Sequence, residues 1–105
     1  MIDEKLIEEM VQNELKEANR EHPMFHSEHE AYAVLAEEVE EACEDMIHIK
    51  TNMDLLWKNV KNDLYTNKNY REIHKKAVHI IQEAIQVAAM AEKALASQEW
   101  RRSGK

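Results

Sequence analysis

Residues 80–91 read IIQEAIQVAAMA, an almost unbroken apolar stretch inside a longer helical pattern that runs from about Tyr70 to Gln98. The length and periodicity of this pattern predict one long helix. Because apolar residues occur on nearly every side of residues 80–91, we expect this helix to be buried on more than one face. The sequence therefore predicts an all-α, four-helix-bundle-like domain whose last helix is completed by oligomerisation, as a homodimer or homotetramer.

The composition supports the same fold class. The chain has 105 residues with one Gly and one Pro, so it lacks the turn residues that a β-sandwich or barrel needs. Its net charge of −7 disfavours nucleic-acid binding. No stretch approaches the roughly 18 consecutive apolar residues of a membrane span, and the N-terminus lacks the pattern of a signal peptide. We expect a cytoplasmic protein with neither nucleic acid nor membrane as its partner.

The remaining helices are predicted from apolar spacing and capping residues. An N-terminal helix is expected from about Asp3 to Asn19, and Ser27 with Glu30 forms a capping box that starts the next helix. This helix reaches about Lys50 and either stops there or continues as one long helix. A single domain over residues 1–105 follows, comprising an N-terminal helical segment (1–22), a helical core (27–98) and a frayed tail (99–105).

Several residue types receive an ordinary structural interpretation. The clearest turn of the second half is predicted over residues 66–69, which are rich in Asn. The histidines, His79 among them, are expected to be solvated or to cap helices. Aromatic residues, methionines and the single cysteine are expected in the core; they include Cys43, Met46, Met53, Trp57, Tyr65 and Tyr70.

The acidic run 37–45 contains a ridge that points to a cation. On a helix, Glu38, Glu41 and Asp45 lie together at the border of the apolar face, where a neighbouring helix would pack. Three carboxylates at that border would repel one another. A bound Mg²⁺ would relieve the repulsion, because this ion prefers carboxylate and phosphate oxygens.

A second acidic feature is Glu83, the only charged residue of the apolar stretch. Such a carboxylate is costly to bury unless it is paired or bound to a metal. Two interpretations stay open: Glu83 reaches the surface or bonds to His79 or Gln86, or it faces Glu38 and Glu41 and completes a metal site.

Together these features resemble a known family. Residues 37–41 (EEVEE) fit the E-E-x-x-E helix motif of the MazG-like all-α nucleoside triphosphate pyrophosphohydrolases, and residues 83–87 look like their later E-x-x-D helix. The likeness covers roughly residues 26–96. Residues 29–35 and 86–91 also look like segments of small, often phage-associated proteins that are distantly related to this family. It implies Mg²⁺, or Mn²⁺, held by Glu38, Glu41, Glu83 and Gln86. It also implies hydrolysis of a nucleoside triphosphate to the monophosphate and pyrophosphate, for which Glu37 or Asp45 would orient the water.

Two departures from the family pattern affect this implication. Gln86 stands where the family has an aspartate, so one anionic ligand becomes a neutral amide oxygen. The motifs are also separated by residues 42–82, which is longer than the family usually shows and predicts inserted helical structure. Two alternatives to an active enzyme follow: a catalytically silent scaffold of the same fold, and a helical module whose acidic face binds a basic protein.

Overall fold

The computed structural model describes residues 2–104, which form three helices joined by short loops. Helix α1 spans Glu4–Ala18, α2 spans Glu28–Lys61 and α3 spans Asn67–Arg102. The described residues contain no strand, so the predicted all-α class is confirmed. Among them, no helix combines the length and apolarity needed to cross a membrane.

The second helix begins at Ser27, the capping residue that the sequence predicts, and the first helix is capped by Asp3, at the start of its expected range. The Asp3 side chain accepts a hydrogen bond from the Lys5 amide at 3.1 Å, and the Ser27 hydroxyl accepts one from the Glu30 amide at 3.1 Å. These bonds satisfy amides that have no partner inside the helix. Helix α1 packs against α3, where Val11 is buried.

Helix α2 is continuous, so the break considered after Lys50 does not occur. The Asn52 side chain donates a hydrogen bond to the His48 carbonyl of its own helix at 3.1 Å. An asparagine bonded in this way is satisfied within the helix instead of capping a new one. The residues between the two acidic motifs therefore add length to α2 and α3 and contain no additional helix.

The turn between α2 and α3 lies earlier than predicted, at residues 62–66 instead of 66–69. Asp63 has a φ of 54°, and the Leu64 amide donates to the Asn59 carbonyl at 2.8 Å. The left-handed residue and this bond close the end of α2. Asn69 lies in the first turn of α3, where it is buried and accepts a hydrogen bond from the Asn59 side chain at 2.9 Å.

The C-terminal segment is helical through Arg102, so the prediction of a frayed tail is wrong for the described residues; Lys105 lies outside them. Arg101 donates to the Phe25 carbonyl at 2.8 Å and to the Glu28 carboxylate at 2.7 Å. These bonds tie the end of α3 to the start of α2. Arg101 thereby holds the segment that connects α1 to α2.

The interface between α2 and α3, here called the seam, is an antiparallel helix pairing in which buried or half-buried residues recur every three or four positions. Such spacing is that of two helices packed side by side. On α2 the seam comprises Ala31, Leu35, Glu38, Ala42, Asp45, Ile49, Asn52, Leu56 and Asn59, and on α3 Asn69, Ile73, Lys76, Ile80, Glu83, Val87, Met90, Ala94 and Ser97.

Many apolar side chains predicted to be core are exposed in this chain. The molecule measures 65 × 28 × 20 Å, and such an extended hairpin covers little of its own surface. Polar residues occupy many seam positions, so apolar residues beside them stay outside. The prediction of burial is wrong within the chain for Cys43, Met46, Met53, Trp57, Tyr65 and Tyr70.

Candidate metal centre

Three glutamates converge midway along the hairpin. Glu38 and Glu41 lie one turn apart on α2, and one carboxylate oxygen from each lies within 4.8 Å of the others and of one from Glu83 on α3. The hairpin accounts for this convergence, because Glu41 and Glu83 each lie 21 residues from Asn62 at the turn. The prediction that these three residues meet in space is confirmed.

The cluster contains carboxylate oxygens that are buried without a partner. The Glu83 side chain belongs to a residue that is only 6% exposed, and neither its Oε2 nor that of Glu38 has a hydrogen-bond partner. A buried polar atom without a partner is uncommon and costly. The donor set fits a hard cation, because all three residues offer oxygen.

The proximity of the carboxyl groups makes them harder to ionise. Burial, followed by the contact with Glu38, raises the pKa of Glu83 above the usual glutamate range. A hydrogen bond between the Glu41 and Glu83 carboxyl groups, followed by their mutual repulsion, raises the pKa of Glu41. A proton shared within the cluster relieves the repulsion, and a bound cation would take that role once the protons leave.

His79 connects the cluster to a second polar group on the seam. Its Nδ1 bonds to the Asp45 carboxylate, and its Nε2 lies 3.6 Å from Glu83 Oε1. Lys76 Nζ lies 3.7 Å from the other oxygen of Asp45. The hydrogen bond between His79 and Asp45 raises the pKa of His79 and lowers the pKa of Asp45.

These contacts bear on two sequence interpretations. His79 is exposed, as the solvated assignment predicts, and it also bonds to Asp45 and lies close to Glu83. Asp45, proposed to orient water, is buried and already bonded to His79. Its pairing with His79 follows from the register of the hairpin, since Asp45 and His79 lie 17 residues on either side of Asn62, whereas the sequence predicts the turn at later residues.

Beside Glu83 lies an open cleft of about 550 Å³ between α1 and α3, whose lining includes neither Glu38 nor Glu41. Glu83 and Gln86 line it, with Gln86 half-buried and one turn beyond Glu83. Glu37 is exposed on α2, one position before Glu38. Helix α1, which no sequence motif connects with the site, adds Met10, Asn13, Glu14 and Glu17 to the lining.

Comparisons with protein families, characterised proteins and solved structures found no match to this chain. The geometry of the cluster and the cleft therefore carries the functional proposal.

Proposed function

We propose that this protein is a Mg²⁺-dependent nucleoside triphosphate pyrophosphohydrolase of the MazG-like type, with Mn²⁺ as the alternative ion. The observation that carries the proposal is the convergence of Glu38, Glu41 and Glu83, two of which hold buried oxygens without partners. The proposal is also supported by the family resemblance, because these residues lie at the spacing of the E-E-x-x-E and E-x-x-Q segments.

The proposed roles follow from position. Glu38, Glu41 and Glu83 hold the ion, and Gln86 adds a neutral carbonyl oxygen or bonds to the substrate. Such an ion neutralises phosphate oxygens and lowers the pKa of a bound water. Glu37 is exposed one turn before Glu41, a position from which it would orient the attacking water.

The volume of the cleft is compatible with a substrate the size of a nucleotide. Its volume of about 550 Å³ falls in the ordinary range of small-molecule sites, roughly 300–1,000 Å³. Its α1 wall carries Glu14 and Glu17, which would repel a triphosphate that arrives without cations. We therefore propose that the nucleotide binds as its metal complex.

Gln86 favours a second candidate, a silent scaffold that retains the helical framework. The neutral amide removes one negative charge from the ligand set, which lowers the affinity for a divalent ion. A silent scaffold would keep the fold without metal-dependent turnover.

We also propose that the working form is a homodimer or homotetramer in which a second chain completes a four-helix bundle. The support is the large number of exposed apolar side chains on a chain with few buried ones.

The test is pyrophosphate release from a panel of ribo- and deoxyribonucleoside triphosphates with Mg²⁺ or Mn²⁺, accompanied by calorimetric titration with each ion. We expect Glu83→Gln and Glu38→Gln to abolish release and weaken metal binding. The matched control is Glu40→Gln, an exposed glutamate on the same helix, which should match wild type.

The outcomes separate the candidates. Metal binding without release from any nucleotide supports the silent scaffold. A folded wild-type chain that neither binds Mn²⁺ nor releases pyrophosphate contradicts the metal centre itself, and the exposed acidic face would then be examined as a surface for a basic protein.

A further inference from the structure

The end of the hairpin that surrounds the turn, here called the distal arm (residues 50–76), differs in charge from the rest of the chain. It contains seven of the 14 basic residues and only three of the 21 acidic residues. Its formal net charge is therefore +4, whereas the remaining residues together carry −11. The overall charge of −7 thus averages two segments of opposite sign.

The elongated shape of the hairpin keeps the two kinds of charge apart. Helix α2 is continuous, and Trp57 in the distal arm lies 16 residues beyond Glu41 of the glutamate cluster. At a rise of about 1.5 Å per residue this separation is about 24 Å, roughly three times the Debye length at physiological ionic strength. A polyanion at the distal arm is therefore screened from the acidic cluster, and the overall net charge does not decide whether it binds there.

Most cations of the distal arm are available to a partner. Six of the seven basic residues are exposed, and none of the six forms an ion pair with another part of the chain that the structure describes. They are Lys50, Lys58, Lys61, Lys68, Arg71 and Lys75. Lysine and arginine side chains of this kind bind backbone phosphates and release the counterions of the nucleic acid.

Three aromatic side chains are exposed on the same arm. The exposed fraction is 61% for Trp57, 90% for Tyr65 in the turn and 55% for Tyr70. Trp57 and Tyr70 each come one position after a seam residue, which is Leu56 on α2 and Asn69 on α3. One position is a rotation of about 100° in the same sense on both helices. Because the helices are antiparallel, this rotation brings both rings to the same side of the hairpin.

The register of the hairpin also brings these two rings to a similar height. Asn59 bonds to Asn69 across the seam, so Trp57, two positions before Asn59, lies level with the residues that follow Asn69, of which Tyr70 is the first. The two rings therefore form a platform on one side of the arm.

A cation accompanies each ring of this platform. Lys61 Nζ lies 5.6 Å from the centre of the Trp57 ring, and the exposed Arg71 directly follows Tyr70. Aromatic rings beside lysine and arginine form the usual surface for unpaired bases, which stack on the rings while their phosphates bind the cations.

We infer that the distal arm binds single-stranded nucleic acid, with bases stacked on Trp57 and Tyr70 and phosphates on the exposed lysine and arginine side chains. A duplex or an acidic peptide would use the cations and leave the rings without a partner, since stacking requires unpaired bases. The inference rests on the distal arm alone and does not depend on the proposed catalysis.

The test is the fluorescence anisotropy of labelled oligo-dT and oligo-U of about 15 nucleotides, titrated with the full chain in EDTA. The chelator ensures that a metal ion at the glutamate cluster cannot bridge to phosphate. We expect the single strands to bind more tightly than a duplex of the same length. The logarithm of the binding constant should fall with the logarithm of the salt concentration with a slope of about −2 to −4, because each of about three to six neutralised phosphates contributes about −0.7.

Aromatic variants test the stacking. Trp57→Ala should weaken the binding of oligo-dT by about 10-fold, a usual effect of removing a ring on which a base stacks, and Trp57→Phe should retain most of the affinity. The matched control is Tyr32→Ala, which removes an exposed aromatic side chain near the start of α2 and should bind like wild type.

Charge variants test the phosphate contacts. Lys61→Glu/Arg71→Glu should weaken binding by about 10-fold or more and make the salt dependence less steep. Lys5→Glu/Lys16→Glu alters two exposed lysines of α1 and changes the net charge by the same amount, so it serves as the control. All substituted residues are exposed, and the melting temperature of each variant verifies that it is folded.

Four results would overturn the inference. They are a folded wild type that binds no oligonucleotide at low salt, a duplex bound as tightly as the single strands, a Trp57→Ala variant with wild-type affinity, and an equal loss in the two charge variants. If wild type instead sediments with phosphatidylserine vesicles and binds neither oligonucleotide, the arm is assigned to an anionic membrane surface and the inference also fails.

Discussion

The imidazole of His79 on α3 bonds to the carboxylate of Asp45 on α2, although the two residues are 34 positions apart. The other ring nitrogen of His79 lies 3.6 Å from Glu83 Oε1. The ring is thereby fixed in orientation next to a proposed metal ligand, and a chain of polar contacts runs from Lys76 through Asp45 and His79 to the glutamate cluster.

The first prediction concerns this positioning of Glu83. His79→Ala is expected to weaken Mn²⁺ binding by about 10-fold or more, because residues that orient metal ligands usually contribute 10- to 100-fold to affinity. Calorimetric titration measures the effect. His48→Ala, an exposed histidine on α2, is the control, and an affinity for His79→Ala equal to wild type would contradict the positioning role.

The second prediction is a pH dependence of stability. The pKa values of Glu41 and Glu83 are raised in the folded chain, so their stabilising contribution is present below the unfolded glutamate pKa of about 4.3. It is lost as the pH rises through the folded pKa values. As the pH rises from about 4.3 through the folded pKa values, the melting temperature of metal-free wild type should therefore fall relative to that of Glu83→Gln.

Added Mg²⁺ should reverse this loss, since the ion replaces the protons. We expect the increase in melting temperature on adding Mg²⁺ to be larger at neutral pH than near pH 4, and to vanish in Glu83→Gln. Equal increases at both pH values, or an increase that survives in Glu83→Gln, would place the ion elsewhere.

The third prediction restores the carboxylate that the family resemblance implies. Gln86→Asp adds an anionic oxygen one turn beyond Glu83, and we expect it to tighten Mn²⁺ binding by about 10-fold, which corresponds to about 1.4 kcal/mol. Gln82→Asp, which also lines the cleft, is the control. A gain of the same size in both variants would show that charge in the cleft matters, and not the ligand position.

The fourth prediction concerns the junction between α3 and the segment before α2. The Ser97 hydroxyl, fully buried, accepts from the Phe25 amide at 2.8 Å and donates to the Lys93 carbonyl at 2.7 Å. Ser97→Ala leaves the buried amide without an acceptor, which we expect to cost about 1–3 kcal/mol of unfolding free energy. Urea denaturation measures this cost, and Ser103→Ala, at an exposed serine, should change little.

Much of the helical framework could be predicted from local signals. The cap at Ser27 is a short-range hydrogen-bonding pattern that the sequence displays directly. The convergence of Glu38, Glu41 and Glu83 is one of two interpretations open from the sequence, because a lone carboxylate in an apolar helix can also reach the surface or bond to a neighbour on its own helix.

The burial pattern could not be predicted in the same way. Apolar periodicity marks a face that needs covering, but it does not say which element covers it. Within this chain the seam accepts Asp45, Asn52 and Lys76, while Met46 and Met53 lie beside it and are exposed. Long-range pairs such as Asp45 with His79 decide this choice, and only the register of the hairpin reveals them.

Because the glutamate cluster lies midway along a continuous hairpin, the number of residues between its two motifs can change without moving the ligands relative to one another. Adding seven residues to α2 and seven to α3 would lengthen the distal arm by two turns while returning every side chain to its original phase. The ligands would meet unchanged, because each is displaced from the turn by the same amount. Natural variation in the length between the motifs is therefore expected in paired heptad steps, and the long separation in this chain is compatible with an unaltered centre.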